Sequence, residues 1–275
     1  MQDGNGDNRH HFPVFTQFSR ISVLSFSAEN ALQQISGYIL VAAFLSHTAA
    51  IGYNFFLAGH IPVRDLHEAL SMAAWTLSGA YILSLYRFNL KVLGAFAVPL
   101  ASLVMVASAL MPRASVEAQT SFRSIWLVFH ILAVFVGEAA FALACGIGIL
   151  YLFQENAIKT KKRSFFYKRL PSLELLDASG YTCIVAGFTL LTIGLATGFV
   201  YAKLIWGRFL SWDPKEIWSA ITWLIYAALI HERLTVGWRG RKAAILAIIG
   251  FCVVIFTFLG VNLFLKGHHG VFTRW

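Results

Sequence analysis

Residues 206–218 read W-G-R-F-L-S-W-D-P-K-E-I-W, with Trp206, Trp212 and Trp218 evenly spaced among Arg208, Asp213, Lys215 and Glu216. Indole faces stack on flat ligands, and cations pair with carboxylates. The combination suits a planar apolar ligand with acidic edges, and a porphyrin answers that description. A structural role competes for part of the stretch. Asp213 can cap a helix whose first residue is Pro214, with Glu216 reaching back to the cap. Tryptophan belts at membrane interfaces are also common. A belt scatters its rings around a protein, however, and these three share one connection.

The histidines supply candidate metal ligands. His10 and His11 lie in a polar tail, and His60 and His67 flank a loop. His130 lies five residues into an apolar run, roughly 8 Å from its end at ~1.5 Å per residue. His269 lies just past the end of the last apolar run. Both can approach the tryptophan stretch, from opposite sides. Two neutral imidazoles across a plane are suitable axial ligands for haem iron. His268 competes with its neighbour for that role. Glu138, eight residues beyond His130, is expected to orient it by hydrogen bonding. The chain has no C-x-x-C-H, so it does not attach haem covalently by that motif. Cys145, Cys183 and Cys252 sit singly in apolar runs and read as small buried residues. No Ser–His–Asp or Cys–His constellation is identifiable.

The elements that must position these groups are membrane helices. The chain is 58% hydrophobic and 13% charged, about half the charge of a soluble domain. Seven runs approach the ~20 apolar residues that a span requires: 36–57, 66–86, 90–111, 125–153, 180–204, 214–231 and 243–265. The fourth is over-long and should tilt or project. The expected fold is therefore an all-α polytopic bundle of about seven transmembrane helices. Alternate loops and the N-terminal segment collect fourteen of the 22 Lys and Arg residues. By the positive-inside rule that side is cytoplasmic, the N-terminus is inside and the C-terminus outside. The tryptophan stretch then faces outward. The basic excess is accounted for by inner loops, and nucleic acid is not an expected partner. We divide the chain into a cytoplasmic N-terminal segment, 1–35, and a transmembrane domain, 36–270, with its outer loop at about 205–218. The polar insertion 154–179 is cytoplasmic.

The W-G-x-x-x-S-W-D-P-K-E-x-W stretch resembles the tryptophan-rich WWD signature of haem-handling membrane proteins. I-T-W-L-I-Y-A-x-x-x-H-x-R, ending at His231 and Arg233, resembles the CcsA/ResC branch of cytochrome c biogenesis proteins. So do G-W-R-G-R-K-A-A and F-L-G-V-N-L-F-L-K-G-H-H, residues 258–269. W-L-V-F-H with G-x-A-A-F, and I-P-V-R-D-L-H-E-A-L, are similar to earlier parts of that family. The chain departs from the pattern at Leu210, Glu138 and Gly270, where tryptophan, tyrosine and serine are usual.

The resemblance implies a cytochrome c maturation component in the cell inner (cytoplasmic) membrane. Haem b would be a non-covalently bound, transported substrate, carried to the outer face (the periplasm or outer surface) and presented to apocytochrome c for thioether attachment. His130 and His269 would be the outer axial ligands, with Trp206, Arg208, Trp212, Asp213 and Trp218 around the disc. His231 would ligate haem at a second, deeper site; its partner is His47 or a residue of another subunit. The implied partners are a CcsB-like membrane subunit, apocytochrome c and a thiol-reducing pathway. With that subunit the chain would form a CcsBA-type holocytochrome c synthase, and the sequence leaves open which chain forms the bond. Alternatives are a HemX-like membrane regulator of tetrapyrrole biosynthesis, a CcmC-like haem delivery protein and a b-type electron carrier.

Overall fold

The structure, a computed structural model, describes residues 12–59, 61–63, 65–112, 124–161 and 170–261. Seven α-helices make up almost all of it: α1 (Phe12–Ala58), α2 (Leu66–Phe88), α3 (Gly94–Leu110), α4 (Ile125–Lys159), α5 (Leu173–Trp206), α6 (Pro214–Thr235) and α7 (Arg241–Ile255). A 3₁₀ turn, Lys91–Leu93, precedes α3, and a π turn, Phe256–Gly260, extends α7. No strand occurs among the described residues. The all-α membrane bundle expected from the sequence is the architecture found.

Among the described residues six helical stretches are long and apolar enough to cross a membrane: Leu32–Leu57, Leu66–Phe88, Lys91–Leu110, Ile125–Lys159, Leu173–Trp206 and Arg241–Gly260. The sixth expected span, now α6, has the length at 22 residues. It falls short in apolarity because Lys215 and Glu216 open it and His231, Glu232 and Arg233 close it. Helix α4 has 35 residues, ~53 Å at 1.5 Å each, against a hydrocarbon thickness of about 30 Å. Its last turns carry Gln154, which is buried, and Glu155, Asn156 and Lys159, which are half-buried or exposed. The polar insertion expected at 154–179 is helical at both ends: α4 runs to Lys159 and α5 starts at Leu173, capped by Ser172 Oγ on the amide of Leu175 at 3.2 Å.

Two compact units divide the chain, residues 1–46 and 47–275. In the first, the described part is the beginning of α1. Helix α1 starts at Phe12 and not near 36, where the apolar run begins. Pro13 sits in its first turn, where a missing amide hydrogen costs nothing, and no glycine follows until Gly37. A helix once nucleated propagates through such a stretch.

In the second unit α4 is central, packing along α5 and against α7 and α2, while α6 packs on α5 and α7. Without a hydrophobic drive between helices in lipid, close approach depends on small residues. Gly137 meets Gly187 backbone to backbone: a Cβ on Gly137 would lie 3.1 Å from the Gly187 carbonyl oxygen. Gly148 likewise faces the backbone of Ala244 on α7. Hydrogen bonds add to the seams. Trp223 Nε1 donates to Thr192 Oγ1 at 2.9 Å, and Trp75 Nε1 to Thr48 Oγ1 at 2.8 Å. His67 fastens α2 to α3 by donating from Nδ1 to the Ser108 carbonyl at 2.8 Å.

The end of the bundle that carries the α6–α7 turn is closed by charge. Arg233 forms a two-point pair with Asp177, at 3.1 and 2.7 Å, and lies 4.2 Å from the Tyr181 ring centroid. Asp177 also accepts the Gly240 amide at 2.7 Å. One carboxylate thus ties α5, α6 and the α6–α7 turn together.

Candidate functional site

Helix α5 ends at Gly207, whose φ of +73° lets the chain leave the helix through the left-handed region. The loop then reaches Asp213, which starts α6 as the sequence indicated. Its Oδ1 accepts the Lys215 amide at 2.9 Å, Pro214 occupies the first helical position, and Glu216 completes the capping box. Asp213 is buried. Its side chain is committed to the backbone.

Beneath this loop lies a cavity of about 280 Å³ between α4, α5 and the start of α6. Its polar lining is His130, Glu138, Lys215, Glu216, Ser219 and Thr257. The remainder is apolar or aromatic, with Phe135, Tyr201, Trp206 and Phe258 prominent. Tyr201 meets Trp206 edge to face at 6.1 Å, and Phe135 meets Phe258 at 5.7 Å. The π turn Phe256–Gly260 includes Thr257 and Phe258, which line the cavity. Such irregular turns often mark functional positions.

His130 is held in a defined chemical form. Its Nδ1 lies 2.7 Å from the carbonyl oxygen of Gly194 on α5. A carbonyl only accepts, so Nδ1 carries the proton, and the lone pair of the neutral ring is on Nε2. Gly198 makes the room. A Cβ there would fall 2.7 Å from His130 Nδ1 and 2.8 Å from Cε1. Gly194 and Gly198, one helical turn apart, form the recess into which the ring fits. The backbone carbonyl takes the orienting role that the sequence suggested for Glu138. Glu138 makes no hydrogen bond to His130: the rotation of α4 over eight residues places it elsewhere on the cavity wall.

The other sequence candidates divide. Trp206 lines the cavity with His130, whereas Trp212, Trp218 and Arg208 do not. Trp218 is half-buried against Phe256 of the π turn, with ring centroids 4.4 Å apart. Arg208 is exposed, and the cation in the cavity wall is Lys215. Trp212 is 76% exposed and has φ +56°. His231 is exposed on α6, in line with Ile217, Ala220, Leu224 and Ala228 at helical spacing. His47 is half-buried, its Nε2 2.9 Å from Ser71 Oγ. His268 and His269 lie outside the described residues. The sequence reading passed over Gly194, Gly198 and Tyr201. A small-x-x-x-small pair on a membrane helix was the available signal for the two glycines. Leu210 and Glu138, two departures from the resembled pattern, both line the cavity.

An imidazole oriented by the Gly194 carbonyl, an indole wall, an apolar interior and a lysine side chain form a site suited to a flat, metal-bearing ligand with an anionic edge. Among the described residues no cluster of three His, Cys, Asp or Glu side chains could hold a bare metal ion.

Comparison with known proteins agrees with the pattern. The cytochrome C assembly protein family matches residues 63–269. The cytochrome c biogenesis protein CcsA of Gloeothece citriformis is 31% identical over 293 residues, covering 89% of each chain. That of Synechocystis is 30% identical over 311 residues, covering 93% of each. That of Chlamydomonas reinhardtii is 38% identical over 222 residues, which is 77% of this chain but 61% of the algal protein's length. The matched region contains α2 through α7, the cavity and the tryptophan loop, and the chain belongs to the cytochrome c assembly protein family.

Proposed function

We propose that this chain serves cytochrome c maturation by holding haem b, as a transported substrate, in the cavity under the α5–α6 loop and presenting it to apocytochrome c. One observation carries the reading. The bond from His130 Nδ1 to Gly194 fixes the tautomer that offers Nε2 to iron, inside an apolar cavity with Trp206 in its wall. His269 supplies the second axial position. Lys215 faces a propionate from the wall of the cavity, and Arg208 meets one from the exposed loop. The excess of cations on alternate loops supports an inner-membrane chain with this cavity toward the outer face. Apocytochrome c brings the thiols, and a thiol-reducing partner keeps them reduced.

His231 belongs to a second site. It stands where an outward-facing apolar stripe of α6 meets the charged end of the bundle. An exposed position favours a haem shared with a CcsB-like subunit over one shared with His47, which is engaged with Ser71. The two chains together make up the synthase.

The test is the visible spectrum of the chain purified in detergent with its bound pigment. A low-spin, doubly histidine-ligated haem is expected. His130→Ala and His269→Ala should each abolish that signature at the outer site, and exogenous imidazole should restore it by entering the vacated position. A full low-spin spectrum in the double variant refutes the assignment.

A further inference from the structure

Glu138 puts a carboxyl in the interior of a membrane helix. It lies thirteen residues past the start of α4, about 20 Å along a helix of 35 residues. An ionisable group at such a depth is costly and requires a partner. Among the described residues nothing hydrogen-bonds its carboxyl, and the charge that acts on it is Lys215, in the wall of the same cavity. Lys215 in turn feels Glu138 more strongly than Asp213, two residues before it. No ion pair closes between Glu138 and Lys215.

His130, Tyr201 and Glu216 are the remaining titratable groups of the lining. On α4, His130 gives its Nδ1 proton to the Gly194 carbonyl. On α5, Tyr201 packs edge to face on Trp206. On α6, Glu216 Oε2 accepts the amides of Ser211 and Asp213 at 2.9 and 3.3 Å. Helix α2 and the π turn line the cavity with Ala69, Thr257 and Phe258, none of which titrates. A carboxylate drawn to Lys215 therefore arrives near Glu138. Two ionised carboxylates against one ammonium would leave a net negative charge in an apolar cavity, which costs more than taking up a proton. With one proton between the two carboxyls the set of three is neutral, and an O–H···O⁻ bond is among the strong ones.

We infer that Glu138 binds a carboxylate of the carried porphyrin through a shared proton, beside Lys215. The inference rests on the haem reading above. It makes Glu138 a specificity residue for porphyrins with a free carboxylate edge, and it couples their uptake to one proton.

The experiment titrates haem and haem dimethyl ester, which has no free carboxylate, into the wild-type chain, E138Q, E138L and K215M in detergent. The Soret band is followed at a series of pH values. The proton enters with the ligand, so wild-type affinity for haem should fall as pH rises, by up to about tenfold per unit. E138Q keeps a donor in place of the acid. It should bind haem within about twofold of wild type at the acid end of the series, and its slope should be lower by one proton. Any dependence that belongs to His130 persists in E138Q, so the difference between the slopes isolates Glu138. E138L and K215M should each weaken haem by about tenfold and the ester by less than about twofold. An unchanged slope in E138Q, or equal losses of haem and ester in E138L, overturns the inference and leaves the haem reading intact. A wild-type chain that takes up neither pigment overturns both.

Discussion

The recess for His130 makes Gly198→Ala the sharpest perturbation in the site. The added methyl would lie 2.7 Å from Nδ1 of the imidazole, where ordinary contact begins at 3.4 Å. The ring must therefore retreat by about 0.7 Å, the difference of those two distances. It retreats from α5, which also carries its acceptor, the Gly194 carbonyl. The hydrogen bond, now 2.7 Å, lengthens toward about 3.4 Å, outside the ordinary range for N–H···O. Overpacking of this kind costs about 1–3 kcal/mol, and loss of the bond a further ~1 kcal/mol. If half of that falls on the ligated state, haem affinity drops roughly tenfold, at 1.4 kcal/mol per decade. The assay is haem retention on dilution, with the low-spin spectrum as a second readout. Gly52→Ala is the control: a methyl there meets nothing within 4 Å. Alanine should stabilise that helix by roughly 0.5–1 kcal/mol and leave haem untouched. A Gly198→Ala variant with wild-type retention and spectrum would refute the placement of His130 against α5.

Two further substitutions test the frame around the site. Asp177→Ala should lower stability by about 3 kcal/mol, because it leaves Arg233 half in the protein without its partner and orphans the Gly240 amide. Thermal unfolding in detergent measures this, and the haem spectrum should not change, since the pair lies far along α5 from His130. Tyr226→Phe should be neutral or stabilising by ~1 kcal/mol. Its ring stacks on Phe141 at 3.6 Å, but its hydroxyl is buried without a partner. A clear loss of stability in that variant would show that the hydroxyl is satisfied.

The sequence determined what depends on composition and on near neighbours. Apolar runs fixed where most helices lie, because a backbone in lipid must bond to itself. Asp213, Pro214 and Glu216 announced the start of α6, since a capping box is built from residues three apart. His130 and Trp206, singled out from motif and depth, both line the cavity. α6 was the least legible span, because charged residues at both ends dilute a run that is long enough. The beginning of α1 was illegible for the opposite reason: helices continue through polar residues when nothing breaks them.

Only the tertiary structure decided how the candidates divide. Rotation about a helix axis and the path of a loop are not encoded in spacing along the chain. The tryptophans recur every sixth position, yet Trp206 lines the cavity, Trp218 packs on the π turn and Trp212 is exposed. The same geometry put Lys215 but not Arg208 in the cavity wall, and gave His130 a backbone carbonyl sixty-four residues away in place of Glu138 on its own helix. That acceptor sets the tautomer of the imidazole, and it exists only because two glycines allow α5 to come close enough.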